Sequence, residues 1–121
     1  MALTKLVPTF WTEDIKETVD FYVSILGFTC ESLELEYGWA NLKRDEVSIM
    51  LALPTDHVQF NGAQFTGSIY LFSDDVNQDW DNLKDKVKVC YPLETFDYGM
   101  TEFAIYDNNG YMIQFGQETT G

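Results

Sequence analysis

Hydrophobic and polar residues follow two patterns along this chain, and both patterns occur twice in the same order. Apolar and polar residues alternate in "TKLVPTFW" and "GSIYLFS", which is typical of half-buried strands. Between these segments, "EDIKETVDFYVSIL" places Ile15, Val19, Tyr22 and Leu26 on one face of a helix. A second helix is predicted for "DDVNQDWDNLKDK", and three alternating segments follow each helix. These six segments are "FTCESLEL", "GWANLKR", "EVSIMLAL", "VKVCYPL", "MTEFAIY" and "YMIQFGQ".

Two short motifs recur at one spacing, which indicates an internal duplication. The letters "TEDI" at 12–15 correspond in chemistry to "SDDV" at 73–76, and "YGWANL" at 37–42 corresponds to "YGMTEF" at 98–103. Both pairs are 61 residues apart, and the first motif supplies Asp14 or Thr12 as a helix cap. The pattern therefore predicts an α+β fold of two βαβββ modules. We predict one domain, 1–121, with a first module at 1–52, a linker at 53–64 and a second module at 65–121.

Composition narrows the classes of partner. Seven basic and twenty acidic residues give a formal net charge of −13, which repels phosphate backbones and disfavours nucleic-acid binding. The same charge attracts cationic small molecules. No apolar stretch approaches the length of a membrane span, and the first residues lack a signal-peptide core, so we predict no membrane insertion. Cys30 and Cys90 form no metal-binding spacing, and we expect buried, inert thiols in a cytoplasmic protein.

The paired modules resemble the vicinal-oxygen-chelate superfamily, which includes glyoxalases, extradiol dioxygenases and bleomycin-resistance proteins. The segment "DIKETVDFYVSILGF" resembles the first helix of that superfamily. The segments "KRDEVSIML" and "TEFAIYDNNGYMIQFG" resemble strands of the bleomycin-resistance branch in particular, and "DNNG" is a hairpin signal. The resemblance implies curved mixed sheets around a cleft, with the helices on the outer face. It also implies a homodimer whose two clefts are each completed by both subunits.

Metal-dependent relatives hold one divalent ion with four side chains, and the resemblance places those positions here at Val7, Met50, Ser68 and Gln114. Val7 and Ser68 are 61 residues apart, whereas Met50 and Gln114 are 64 apart, which a hairpin loop three residues longer in the second module explains. An alkyl group, a thioether, a hydroxyl and an amide make a poor set of ligands. The lone histidine, His57, is predicted to be a solvated linker residue. We therefore predict no metal, no cofactor and no metal-dependent glyoxalase or dioxygenase activity.

Strand alternation then assigns the face that lines the cleft. If the four former metal positions point inward, aromatic, thioether and a few polar side chains share their face, which is the usual composition of a small-molecule site. On this face Glu102 is expected to pair with a cationic group of the ligand. The opposite face is expected to pack under the helices through Phe10, Val47, Ile49, Leu51, Ile69, Leu71, Ile113 and Phe115. The predicted ligand-binding residues are Trp39, Asn41, Met50, Ser68, Tyr70, Phe72, Met100, Glu102 and Gln114.

Three functions remain open from the sequence. The first is a non-catalytic binding protein that sequesters a bulky, partly cationic aromatic compound, as the resemblance to bleomycin-resistance proteins implies. The second is an enzyme of the same superfamily, of lyase, isomerase or dioxygenase type, with an unknown substrate and no catalytic residue that we can name. The third is an interaction module whose cleft is filled by its own side chains.

Overall fold

The computed structural model describes residues 1–57 and 60–119 and divides the chain into two compact units, Met1–Gly62 and Ala63–Gly121. Of the predicted linker, Val58 and Gln59 lie outside the described residues, as do Thr120 and Gly121 at the end of the second module. The first unit contains β1 (Thr9–Trp11), α1 (Ile15–Ser24), β2 (Thr29–Glu34), β3 (Trp39–Arg44) and β4 (Val47–Ala52). The second contains β5 (Ile69–Phe72), α2 (Val76–Leu83), β6 (Lys88–Phe96), β7 (Met100–Tyr106) and β8 (Met112–Glu118).

Each unit is a four-stranded mixed sheet with one helix. The strand orders are β1-β4-β3-β2 and β5-β8-β7-β6, so the two sheets share one topology. In both, the first strand pairs in parallel with the last strand, and the remaining pairs are antiparallel. The predicted α+β fold of two βαβββ modules is confirmed.

The helix starts show the duplication most directly. Asp14 is the N-cap of α1 and Asp75 is the N-cap of α2, and each side chain accepts a hydrogen bond from the backbone N–H three residues later. The hydroxyl of the residue two positions earlier, Thr12 or Ser73, accepts a hydrogen bond from the backbone N–H of the cap residue. Of the two predicted candidates for the α1 cap, the structure selects Asp14.

Each helix packs on one face of its own sheet and leaves the other face for the candidate site. In the second unit, Trp80 of α2 lies with its ring 5.1 Å from that of Phe103, which is stacked on Phe115. In the first unit, Ile15, Val19 and Tyr22 of α1 are buried, and so is Leu26, which follows the end of the helix at Ser24. The sheet residues predicted to pack under the helices are buried at Phe10, Ile49, Leu51, Ile113 and Phe115, and half-buried at Val47, Ile69 and Leu71.

The strand bounds differ most from the predicted segments in β1 and β6. β1 begins only at Thr9, because Pro8 has no N–H to donate to a sheet ladder, although its carbonyl accepts a hydrogen bond from the N–H of Met50. β6 continues to Phe96 rather than ending at Leu93, with two irregularities in its pairing with β7. No helix within 1–57 and 60–119 is long and apolar enough to cross a membrane.

Candidate functional site

In the first unit, the predicted site residues form two neighbouring rows on one face of the sheet. Met50 lies opposite both Thr9 and Asn41, so these three side chains form one row. Trp11 and Trp39 both lie opposite Ala52, which forms the next row. Because Ala52 presents only a methyl group, two indole rings are presented on either side of a small residue. Trp39, Asn41 and Met50 are each half-buried.

In the second unit, the predicted residues lie on the corresponding face. Tyr70 lies opposite Gln114, and both Phe72 and Glu102 lie opposite Gly116. Met100 lies one row further, opposite Glu118. The parity of the strands therefore brings the predicted residues of β5, β7 and β8 to one face of this sheet.

The predicted equivalence of the third strands is wrong by two residues. The repeat spacing of 61 matches Asn41 with Glu102, but Asn41 lies opposite Met50, whereas Ala104 lies opposite Gln114. The hairpin loop between the paired strand ends has two residues in the first unit, 45–46, and five in the second, 107–111, so the prediction of a loop three residues longer is confirmed. Two residues is the period of a strand, so the face assignment survives this shift. The shift places Glu102 one row away from Gln114.

Glu102 is the centre of a hydrogen-bonded group in the second unit. Its side chain is only 2% exposed. Oε1 accepts hydrogen bonds from the hydroxyls of Tyr98 at 2.7 Å and Tyr70 at 3.3 Å, and Oε2 accepts one from the hydroxyl of Tyr91. We call Glu102 with Tyr70, Tyr91 and Tyr98 the tyrosine–glutamate cluster. Because a buried carboxylate is costly unless its oxygens are satisfied, the three phenols are what allow Glu102 to be buried here.

Gln114 connects this cluster to the first strand of the unit. Its Nε2 donates to the hydroxyl oxygen of Tyr91 at 2.8 Å and to Oε2 of Glu102 at 3.5 Å. Its Oε1 accepts a hydrogen bond from the hydroxyl of Ser68 at 2.5 Å. Both ends of the amide are thus engaged within the unit, which fixes the orientation of the amide group.

Gly116 provides the space through which Tyr70 reaches Glu102. A Cβ built on Gly116 would lie 1.9 Å from the Tyr70 hydroxyl oxygen and 2.5 Å from Cζ of that ring. Any larger residue would therefore have to displace the phenol. The Tyr70 ring also contacts the ring of Phe72 at a centroid distance of 5.1 Å. Gly116 is required here for space rather than for backbone conformation, since its φ is not positive.

The surroundings of Glu102 keep the three phenols protonated to unusually high pH. The hydrogen bond to Glu102 is the main cause that raises the pKa of Tyr98 to about 12. Burial, followed by the hydrogen bond to Glu102, raises the pKa of Tyr91. For Tyr70, burial and the negative charge of Glu102 raise the pKa. At neutral pH the cluster therefore consists of phenols that donate hydrogen bonds, which is a structural or binding arrangement rather than a source of tyrosinate nucleophiles.

Aromatic rings extend from the cluster to the surface. Tyr98 stacks on Phe96 with a centroid distance of 5.3 Å and an interplanar angle of 8°, and Phe96 also makes an edge contact with Tyr91. Tyr98 is 67% exposed and Phe72 is 73% exposed. A buried carboxylate thus lies beneath a surface of exposed aromatic rings.

Three residues of this site were not predicted as ligand-binding residues: Tyr91, Tyr98 and Gly116. Tyr98 is the first residue of the repeated "YG" motif, so the sequence did single it out. The motif did not indicate which group the Tyr98 hydroxyl contacts. Tyr91 lies in β6 beside pairing irregularities, so strand alternation does not fix its direction. Gly116 was missed because Tyr70 lies directly opposite Gln114, and its ring leans two residues along β8 to cover Gly116. Strand alternation does not predict the direction in which a ring leans.

The residues at the former metal positions do not fit a divalent ion. Val7 has no donor atom, and the Met50 thioether is a poor ligand for hard or borderline cations. The oxygens of Ser68 and Gln114 are hydrogen-bonded to each other, and neither belongs to an anionic group. Within the described part of the chain, no group of three or more His, Cys, Asp or Glu side chains could hold a metal ion.

The remaining reactive side chains lie elsewhere. His57 is exposed, as predicted for a linker residue. Cys30 and Cys90 are free but half-buried rather than buried, so the expectation of buried thiols is wrong. The thiol of Cys90 donates to the hydroxyl oxygen of Tyr106 at 3.3 Å. Alternation within β6 did not predict the partial exposure of Cys90, because β6 lies at the edge of its sheet.

Solved structures of very different sequence share this fold. TioX from Micromonospora sp. ML1 superposes with a TM-score of 0.80 at 16% identity, covering 95% of this chain and 98% of that chain. A protein of unknown function from Agrobacterium tumefaciens str. C58 gives 0.79 at 20% identity, with 98% and 96% coverage. A glyoxalase/bleomycin resistance protein/dioxygenase from Nocardioides gives 0.77 at 16% identity, with 100% and 87% coverage.

These identities establish the fold alone, and no curated protein sequence matches this chain. The sequence itself matches a family model over residues 6–115. That match covers most of both βαβββ modules and every candidate site residue except Gly116. The chain belongs to the Glyoxalase/Bleomycin resistance protein/Dioxygenase superfamily.

Proposed function

We propose that this protein is a non-catalytic small-molecule-binding protein of the bleomycin-resistance type, which sequesters a bulky, partly cationic aromatic compound without modifying it. The family includes both binding proteins and enzymes, so membership does not decide between them. The observation that carries the proposal is the sheet face of the second unit, where exposed aromatic rings surround a buried carboxylate whose hydrogen bonds are all made within the unit.

The polar groups on this face are arranged for binding rather than for proton transfer. A general base needs a lone pair directed at the substrate, but both oxygens of Glu102 already accept two hydrogen bonds each. The amide of Gln114 is engaged at both ends. What this face offers a ligand is therefore mainly apolar and aromatic surface, which favours stacking with a planar compound.

The first unit offers a second surface of similar chemistry. Trp11 and Trp39 flank Ala52, and Met50 and Asn41 lie in the neighbouring row. A thioether adapts its shape to flat rings, and one amide side chain can orient a polar group of the ligand. The net charge of −13 supports the cationic part of the proposal, because it raises the local concentration of positively charged compounds.

We infer further that the protein acts as a cytoplasmic homodimer. Two free cysteines support a reducing compartment. The homodimer follows from the bleomycin-resistance type of the proposal, and analytical ultracentrifugation at micromolar concentration tests it. A single monomeric species would contradict it.

Titration with planar cationic compounds tests the proposal. The natural protein, Phe72→Ala and Trp39→Leu are titrated with acriflavine and with a bleomycin-type glycopeptide by isothermal calorimetry, and the recovered compound is analysed by mass spectrometry. We expect saturable binding, an unchanged mass of the compound, and weaker binding by both variants. Tyr37→Leu, an exposed ring outside the predicted face rows, serves as the matched control and should bind as the natural protein does.

Two results would contradict the proposal. Absence of binding to every planar cation would remove the ligand class, and turnover of the bound compound would favour the enzyme alternative. Elemental analysis of the purified protein adds a separate test, since a stoichiometric divalent metal would contradict the conclusion drawn from Val7, Met50, Ser68 and Gln114.

A further inference from the structure

The negative charge at the tyrosine–glutamate cluster lacks a cationic partner. Glu102 makes hydrogen bonds only to neutral groups, and no lysine, arginine or histidine among the described residues forms an ion pair with it. Glu94 lies directly opposite Glu102 in the β6–β7 pair and is exposed. Like charges in that position repel each other. A cation bound at this face would relieve the repulsion.

The aromatic rings are the part of the cluster that a ligand can touch. Tyr98 is two-thirds exposed, while Glu102 beneath it is almost completely buried. Each phenol donates its proton towards the carboxylate, which increases the electron density of the ring. The face of an electron-rich ring attracts cations, and the attraction strengthens where water is partly excluded.

We propose that the tyrosine–glutamate cluster is a binding site for a quaternary ammonium group, which contacts the faces of the tyrosine rings and is attracted by Glu102 without touching it. The site rests on the proposed function, because it specifies how the cationic part of the sequestered compound is recognised. It lies wholly within the second unit.

The hydrogen bonds that Glu102 already accepts favour a cation without N–H donors. A primary ammonium or a guanidinium brings N–H donors that need acceptors. Here both Glu102 oxygens already accept two hydrogen bonds each, so Glu102 has no free acceptor for the donors of such a cation. A quaternary ammonium has no N–H donors, and its diffuse charge is weakly hydrated. It therefore gains the attraction of the rings without losing hydrogen bonds.

A pair of probes with the same shape tests this site. Choline and its neutral isostere 3,3-dimethylbutan-1-ol differ in charge, and both are titrated into ¹⁵N-labelled protein by NMR. We expect choline to bind about tenfold more tightly than the isostere, with shifts at the amides of the cluster. Tyr98→Leu and Glu102→Gln should each weaken choline binding about fivefold and leave the isostere unchanged.

Matched variants separate the site from general electrostatics and from unfolding. Tyr37→Leu removes the tyrosine that corresponds to Tyr98 in the first unit, and we expect unchanged choline binding. Far-UV circular dichroism verifies that each variant is folded. If Glu102→Gln does not fold, the exposed substitution Glu94→Gln replaces it, with an expected loss of about twofold because this carboxylate lies at the rim.

Equal affinity for choline and the isostere would overturn the proposed site, as would an unchanged affinity for choline in Tyr98→Leu. The same protein is titrated with acriflavine in parallel. Binding of acriflavine without discrimination between the two probes refutes the ammonium site and leaves the proposed function standing. Loss of both kinds of binding refutes both.

Discussion

The close approach of Tyr70 to Gly116 makes a sharp prediction about stability. In Gly116→Ala, the new methyl carbon would lie 1.9 Å from the phenol oxygen, whereas ordinary contacts begin near 3.4 Å. The hydroxyl must therefore move by about 1.5 Å, and the ring must turn away from the sheet. The hydrogen bond of Tyr70 to Glu102, which is 3.3 Å long, cannot survive a displacement of that size.

The magnitude follows from three contributions. Loss of a long hydrogen bond to a carboxylate costs about 1 kcal/mol. Loss of the packing of the Tyr70 ring, including its contact with Phe72, costs about 1 kcal/mol more. Replacing glycine by alanine in a strand returns about 0.5 kcal/mol, because the unfolded chain loses conformational freedom. We expect Gly116→Ala to lower the free energy of unfolding by about 1.5 kcal/mol.

A double-mutant cycle gives the decisive comparison. With Tyr70→Ala as the background, the obstructing ring is absent, so Gly116→Ala should raise the free energy of unfolding by about 0.5 kcal/mol. The four proteins are compared by urea denaturation followed by far-UV circular dichroism at constant pH. The predicted coupling between the two positions is about 2 kcal/mol.

The result that would refute this reasoning is the same cost for Gly116→Ala in both backgrounds. That outcome would mean that the ring of Tyr70 does not lie over Gly116. A stabilising effect of Gly116→Ala in the presence of Tyr70 would lead to the same conclusion.

Three further predictions concern the same fold. Folding raises the pKa of Tyr98 from 10.0 to about 12, so the protonated phenol stabilises the folded protein fully below pH 10 and this stabilisation is lost as the pH rises to 12. Tyr98→Phe should therefore flatten the dependence of the free energy of unfolding on pH in that range, as measured by urea denaturation. Glu102→Leu leaves three phenols without their acceptor and should cost about 3 kcal/mol in urea denaturation, whereas the exposed Glu94→Gln should change stability by less than about 0.5 kcal/mol. Asp14→Ala and Asp75→Ala remove equivalent helix caps and should each cost about 1 kcal/mol in thermal denaturation; a loss at only one position would contradict the duplication of the cap.

The repeat predicted more of this protein than any single motif did. Two matches at one spacing predicted the module order, and hydrophobic periodicity predicted the burial of Ile15, Val19 and Tyr22 on α1 and of Leu26 just after it. These features are local, because helix and strand periods are properties of neighbouring residues along the chain. The register of one strand against another is not a local property, and it was not predicted correctly. The repeat matched Asn41 with Glu102, and the observed register of β7 against β8 differs by two residues from that match.

The chemistry at the former metal positions was determined by the sequence alone. Whatever the arrangement of the strands, Val7 has no donor atom and Met50 offers only a thioether, because the identity of a side chain fixes its ligand chemistry. That the candidate site residues of each unit share one face of its sheet was also predictable, since strand alternation has a period of two.

Only the tertiary structure decided what Glu102 does. The sequence suggested a carboxylate available to a cation, whereas three phenols and one amide from β5, β6, β8 and the turn before β7 converge on it and bury it. These partners are 4 to 32 residues away along the chain. Their convergence depends on strand order, on a pairing irregularity beside Tyr91 and on the absence of a side chain at Gly116. Such contacts are set by the packing of one strand against another, and no local pattern of the sequence encodes them.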